Sequence, residues 1–213
     1  MSDNKYDVIV VGAGHAGCEA ALAAARMGAK TLIVTVNMDH IAQMSCNPAV
    51  GGIAKGQVVR EIDALGGAQG MVTDASAIQF RMLNQGKGPA VWSPRSQCDK
   101  VCYQRAMKLV VERQPGLDVK QAMVTEFVTN GKTIVGIKTD LDDVFAAKAV
   151  VLANGTSLNG TLHYGMISMP GGRAGEQAST HLSKALREQL KLRIGRLKTG
   201  TPPRILAKTI DFS

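Results

Sequence analysis

Six residues near the start of the chain, Gly12-Ala13-Gly14-His15-Ala16-Gly17, have the spacing Gly-x-Gly-x-x-Gly and stand between the apolar run DVIVV and an alanine-rich segment. In that context the pattern can cradle the pyrophosphate of a dinucleotide. The first glycine allows the tight turn, the second lets phosphate approach the backbone, and the third lets helix and strand pack closely. A helix opening there adds N–H groups and partial positive charge. The second candidate chemistry is a thiol, Cys46, in Met44-Ser45-Cys46-Asn47-Pro48, ahead of a glycine-rich turn. Such a cysteine is either a buried packing residue or a nucleophile whose thiolate is helped by helix N-termini or by Lys55. No Cys or His lies at a ligand spacing from it, so no metal is expected there.

The remaining cysteines and histidines suggest less. Cys98 and Cys102 are four apart, which on a helix over residues 97–112 puts both on one face as packing residues; Cys18 is expected in the core. His15, His40, His163 and His181 form no ligand set. GGIAKGQ lacks the Lys-Ser or Lys-Thr ending of a nucleoside-triphosphate loop. At the end of the second strand, where an acidic residue would take the ribose hydroxyls, stand Thr35, Val36 and Asn37, with Asp39 slightly too far along. No arginine follows to take a 2′-phosphate. The later strands resemble the continuation found in flavoproteins of the glutathione reductase type, which favours FAD over NAD.

These groups need a scaffold to position them. Residues 5–11 form a buried strand, 15–27 an Ala-rich helix ending before Gly28, and 31–35 a second buried strand: a βαβ unit. Residues 37–74 loosen into a glycine-rich stretch followed by the helical piece VVREIDALGG, an insertion at about 38–75. Residues 78–83 are strand-like, KGPAVWSPRS reads as a turn-rich link, and 97–112 as an amphipathic helix with Val101, Ala106, Leu109 and Val110 among charged residues. Short strands at 117–120, 124–129, 133–139 and 144–146 suggest an antiparallel meander. A buried strand at 149–152, a glycine stretch at 170–175, a helix near 177–190 and a last strand at 192–197 complete the pattern. The fold class is α/β, a Rossmann-type FAD-binding fold with one domain favoured over two.

The chain's 213 residues are 45% hydrophobic and 20% charged, which excludes a disordered or fibrous protein. Four scattered cysteines do not make a secreted disulfide scaffold, and no apolar run is long enough to span a membrane, so a cytoplasmic location is expected. The net charge of +8 is concentrated at one end: residues 184–213 carry eight basic and two acidic side chains. That stretch is either a solvated helix face and strand edge or a stripe that tracks phosphates. At 4% aromatic residues there is little material for stacking bases.

DVIVVGAGHAGCEAALAAARMG, QMSCNPAVGGIAKGQVVREIDALGG, IQFRMLN, KGPAVWSPRSQ, PGGRAG, GRLKTGTPPRI and KTIDFS together resemble the N-terminal part of the MnmG (GidA) family. QMSCNP and LKTGTPPR are specific to it, although Asn154-Gly155 replaces a commoner threonine-glycine pair. The resemblance implies an FAD-dependent enzyme that installs a carboxymethylaminomethyl group at C5 of the wobble uridine of certain tRNAs. Methylenetetrahydrofolate would be the carbon donor and NADH the reductant, with a homodimer and the GTPase MnmE as partner. It implies that Gly12 to Gly17 hold the FAD pyrophosphate, that Val124 contacts the adenine side through its backbone, that Ser179 touches the flavin nucleotide, and that Cys46 is catalytic. Family members are considerably longer, so residues 1–213 would be the N-terminal portion of the FAD-binding domain, without the later domains and inactive alone. A sister family, the folate- and FAD-dependent tRNA uracil C5 methyltransferases, shares the opening fold but lacks MSCNP. A nucleotide- or RNA-binding module without catalysis is the third alternative.

Overall fold

The structure, a computed structural model, describes residues 4–198, 200 and 205–212. Strand β1 (Lys5–Val11) runs from an exposed lysine into the fully buried triplet Ile9, Val10 and Val11. Helix α1 (His15–Arg26) follows and buries Cys18, Ala21, Leu22 and Ala25. Strand β2 (Thr31–Thr35) is buried at every position and pairs parallel to β1, as a strand covered on both faces should. This first βαβ unit matches its sequence pattern closely.

The excursion that follows is more ordered than its glycines suggest. It contains β3 (Ala49–Gly51), α2 (Lys55–Ala64), α3 (Ala68–Ser76), β4 (Ala77–Leu83) and β5 (Ser93–Cys98). These strands make a separate sheet in the order β3-β5-β4. The expected turn-rich link therefore holds the central strand of a sheet, despite Pro94. The carbonyl of Pro94 accepts the Gly52 N–H at 2.9 Å, and Gly56 lets α2 pack directly against it.

Helix α4 (Lys100–Glu112) begins later than expected because Asp99 caps it, its Oδ1 accepting the N–H groups of Val101 and Cys102. Its buried face is Tyr103, Met107 and Val111; Val101 and Leu109 are exposed. Cys98 is consequently a buried strand residue and Cys102 an exposed helix residue, so the two do not share a helix face and Cys102 is not packed.

Strand β6 (Leu117–Gln121) then pairs parallel to β2 rather than joining the meander. A short apolar run does not reveal its direction, which α4 sets by carrying the chain back along the sheet. The meander consists of β7 (Val124–Asn130), β8 (Thr133–Thr139) and β9 (Val144–Leu152). The expected strands at 144–146 and 149–152 are one continuous strand. Its charged interruption, Lys148, reaches outward to Asp7 at 2.7 Å, while β9 pairs antiparallel to β8 and parallel to β1.

A hairpin, β10 (Thr161–Tyr164) and β11 (Ile167–Pro170), and helix α5 (Thr180–Glu188) follow. The expected last strand at residues 192–197 is not formed. The main sheet has the order β6-β2-β1-β9-β8-β7. Alternation divides its core: Val10 and Ile33 pack with α1 and α4, whereas Ile9, Val11, Leu32 and Val34 pack with Phe127, Phe145 and Leu182 of α5. Among the described residues no helix is long and apolar enough to cross a membrane.

Candidate functional site

The carboxyl ends of β1, β2 and β9 meet where an open α/β sheet carries its ligands. Gly12 has φ +103°, and a Cβ there would lie 2.4 Å from the Ala153 carbonyl oxygen. At Gly17 a Cβ would lie 1.8 Å from the Gly12 oxygen, so β1, α1 and the turn after β9 touch through backbone alone. Gly14 is different. A Cβ there would meet nothing within 4 Å, and Gly14 is the N-cap of α1 with no side-chain cap. The first-turn N–H groups have no intrahelical acceptor. Nearby, the Asn154 Oδ1 is buried without a hydrogen-bond partner. An uncapped helix N-terminus, a cradle that a methyl group would fill and an orphaned acceptor fit a dinucleotide.

At the end of β2, the hydroxyl of Thr35 lies 3.3 Å from the Asn37 carbonyl oxygen, and the Asn37 Oδ1 accepts the Asp39 N–H at 2.8 Å. Thr35 and Asn37, which stand where the ribose-binding acidic residue is expected, are thus engaged locally. The Asp39 carboxyl is held below the usual carboxylate range by the Lys108 ammonium, 2.7 Å away. Val124, the first residue of β7, is buried in the same apolar cluster as Val34 of β2 and Ala122, whose N–H reaches the Thr35 carbonyl at 3.0 Å. Ser179 is buried at the start of α5, with its N–H bonded to the Ser157 carbonyl at 2.7 Å.

The loop after β2 returns to the glycine loop. Ile41, Ala42 and Met44 are buried, and the Ala42 N–H donates to the Ala13 carbonyl at 2.8 Å. This anchoring leaves Ser45, Cys46 and Asn47 exposed, which overturns the reading of Cys46 as a buried packing residue. Cys46, His15, Gln43, Lys55 and Arg95 line one cleft of about 910 Å³; neither Val124 nor Ser179 lines it. Lys55 opens α2, one of the two thiolate-stabilising groups expected near Cys46. Cys18 offers a contrast: burial pushes its thiol up to about 12, as befits a core residue. His15, whose ring lies beside that of Tyr103, is pushed down from its ordinary value by burial and, secondarily, by the Arg173 charge.

Sequence reasoning missed Arg173 and Glu176, in the segment between β11 and α5. The Arg173 guanidinium donates to the Gln43 Oε1 at 3.0 Å and to the Ser45 Oγ at 2.9 Å. Its Nε lies 2.9 Å from the Glu176 Oε2, close enough for an ion pair but off-line for a hydrogen bond. The other Glu176 oxygen is 2.6 Å from the His40 Nδ1. The signals available were the segment PGGRAG, which contains Arg173, and a glutamate three residues after the arginine; neither shows what the pair touches.

The model of the family described as Glucose inhibited division protein A matches residues 7–213. This chain belongs to the GidA family. It is 56% identical over 209 residues to the tRNA uridine 5-carboxymethylaminomethyl modification enzyme MnmG of Protochlamydia amoebophila, a match covering 98% of this chain and 33% of that protein. The protein of the same name from Thermodesulfovibrio yellowstonii is also 56% identical, over 99% of this chain and 34% of its own length. The solved structure of Aquifex aeolicus GidA superposes with a TM-score of 0.93 at 52% identity, covering 100% of this chain and 35% of that one. The chain thus spans about a third of the length of the GidA relatives it matches. Of the family motif GRLKTGTPPRI, Thr199 and residues 201–204 lie outside the described residues.

Proposed function

We propose that this chain is the FAD-holding N-terminal portion of a tRNA-modifying enzyme that installs the carboxymethylaminomethyl group at C5 of the wobble uridine. Gly12 to Gly17 would hold the pyrophosphate on the N-terminus of α1, with Val124 toward the adenine and Ser179 toward the rest of the nucleotide. When bound, the flavin supplies redox chemistry and the route for a one-carbon unit from methylenetetrahydrofolate, with NADH as reductant. The chain's own contribution is the thiol of Cys46. Addition of a nucleophile to C6 of uracil makes C5 carbanion-like and able to attack a methylene donor; the alternative role for the thiol is moving the proton at C5. A homodimer, the GTPase MnmE as partner and a cytoplasmic location belong to the same proposal.

The observation that carries it is the bond from the Ala42 N–H to the Ala13 carbonyl, which ties the thiol loop to the dinucleotide loop in one cleft wall. The relatives named for this modification share more than half of its residues. The test joins this chain to the remaining part of the Thermodesulfovibrio yellowstonii relative and measures the wobble nucleoside of unmodified tRNA by mass spectrometry. The hybrid should form the modified nucleoside, and Cys46→Ser should abolish it while FAD binding persists. A Cys46→Ser hybrid as active as its parent would overturn the assignment of the thiol. A folded, flavin-loaded hybrid that leaves tRNA unmodified would overturn the function.

A further inference from the structure

Arg173 lies far along the chain from the thiol loop, 128 residues from Ser45, yet its guanidinium is shared among groups that define that loop's position. It donates to the Gln43 side chain and to the Ser45 hydroxyl, the residue immediately before Cys46. Its charge is balanced by Glu176, whose side chain is only 6% exposed and is flanked on its other oxygen by His40. The segment bearing the pair is itself fastened down: the Thr156 hydroxyl donates to the Gly172 carbonyl at 2.7 Å, and the Gly172 N–H reaches the Glu176 carbonyl at 3.3 Å. Thr156 belongs to the turn after β9 that also abuts Gly12 through Ala153. Two routes therefore converge on the thiol loop, one by backbone from Ala13 and one by side chain from Arg173.

We propose that Arg173, held by the buried Glu176, is a positioning residue that fixes the Cys46 loop against the dinucleotide loop. The proposal rests on the reading of Cys46 as the reacting thiol beside a flavin. A planar guanidinium suits the task because one terminal nitrogen donates to both Gln43 and Ser45 while the Nε side faces the Glu176 carboxylate as an ion pair, a fixed two-sided arrangement that the single ammonium of a lysine on a flexible stem does not reproduce. Gln43 and Ser45 act as the loop's two handles, and His40 keeps the second Glu176 oxygen occupied. The nearby Arg173 charge also contributes to lowering the affinity of His15 for a proton.

The test uses this chain with Arg173→Gln, Arg173→Lys and the double variant Gln43→Ala with Ser45→Ala. Hydrogen exchange is followed by mass spectrometry on the peptide that contains residues 41–47. Exchange there should quicken at least five-fold in Arg173→Gln and in the double variant, with Arg173→Lys recovering little, and β1 peptides unchanged. Adding Arg173→Gln to the double variant should produce no further change, since both remove the same hydrogen bonds. Unchanged exchange in Arg173→Gln, or full recovery by lysine, overturns the proposal. A second readout is alkylation of Cys46 by iodoacetamide with and without FAD, located by peptide mass, with Cys102 as the internal reference. FAD should slow the reaction of Cys46 in the parent chain, and Arg173→Gln should lose that protection while binding FAD within two-fold of the parent. Protection retained in full by Arg173→Gln counts against the proposal. If FAD binds but fails to protect Cys46 in the parent, the placement of the thiol beside flavin falls, and the exchange measurement alone then decides the role of Arg173.

Discussion

Two substitutions in the glycine loop should separate packing from binding. At Gly17, alanine would put a carbon 1.8 Å from the Gly12 oxygen and 2.9 Å from the Gly12 carbonyl carbon, where only backbone could yield. Helix α1 would have to retreat from β1 by more than about an ångström, and overpacking of that kind costs about 1–3 kcal/mol or more. For a chain of this length that lowers Tm by roughly 2–12 °C. At Gly14, alanine meets nothing within 4 Å and the backbone, at φ −72° and ψ −176°, suits any residue. The weaker N-cap and the reduced unfolded-state freedom roughly cancel, for a net change within about 0.5 kcal/mol. A phosphate approaching that spot would meet the new methyl group and lose a charge-assisted hydrogen bond worth about 1.5–3 kcal/mol. Gly14→Ala should therefore melt like the parent yet bind FAD at least about ten-fold more weakly. The assays are thermal unfolding by circular dichroism and titration of FAD fluorescence. Parent-like FAD affinity in a folded Gly14→Ala chain would refute the assignment of that space to phosphate, and parent-like stability in Gly17→Ala would refute the close packing.

Other outcomes follow from individual groups. Tyr103 is fully buried and its hydroxyl, beside the Gln69 side chain, makes no well-aligned hydrogen bond, so Tyr103→Phe should change stability by no more than about 1 kcal/mol in urea unfolding; a larger loss would show the Gln69 contact to be a full hydrogen bond. The fold depresses the affinity of His15 for a proton, so the unfolded chain binds more protons between the lowered folded value and 6.5. Its contribution is complete above 6.5 and is lost as pH falls through the folded value; His15→Gln should flatten that part of the profile, and an unchanged slope would contradict the burial argument. Arg193 and Lys198 are exposed, whereas Arg196 is committed to the Asn159 carbonyl and the Thr161 hydroxyl. Reversing Arg193 and Lys198 should weaken tRNA binding and reduce its salt slope by about one unit for each phosphate no longer neutralised; an unchanged slope would remove this stretch from the tRNA interface.

The parts legible in the sequence are those whose physics is local. An apolar run, three glycines at fixed spacing and an alanine-rich helix specify β1, the loop, α1 and β2 without help from elsewhere. Strand direction and pairing are not local. Nothing in LDVKQ distinguishes a parallel neighbour of β2 from a meander strand, and Lys148 does not interrupt β9 because it faces solvent, where it pairs with Asp7. Pro94 hid β5 for the opposite reason, since its missing donor argues against a central strand until Gly52 and Gly56 are seen around its carbonyl. Cys46 was visible as a candidate thiol, but its exposure depends on Ile41, Ala42 and Met44 being anchored beneath it. Arg173 stood in the segment PGGRAG, but its role was not legible because its hydrogen bonds span 128 and 130 residues of sequence.

The most direct test of the account is a titration of the purified 213-residue chain with FAD, followed by flavin fluorescence and the visible absorption spectrum. The account predicts a protein-bound flavin spectrum approaching one FAD per chain. A chain shown to be folded by circular dichroism that binds no FAD would contradict it, because the cradle over Gly14 would then lack the capacity assigned to it.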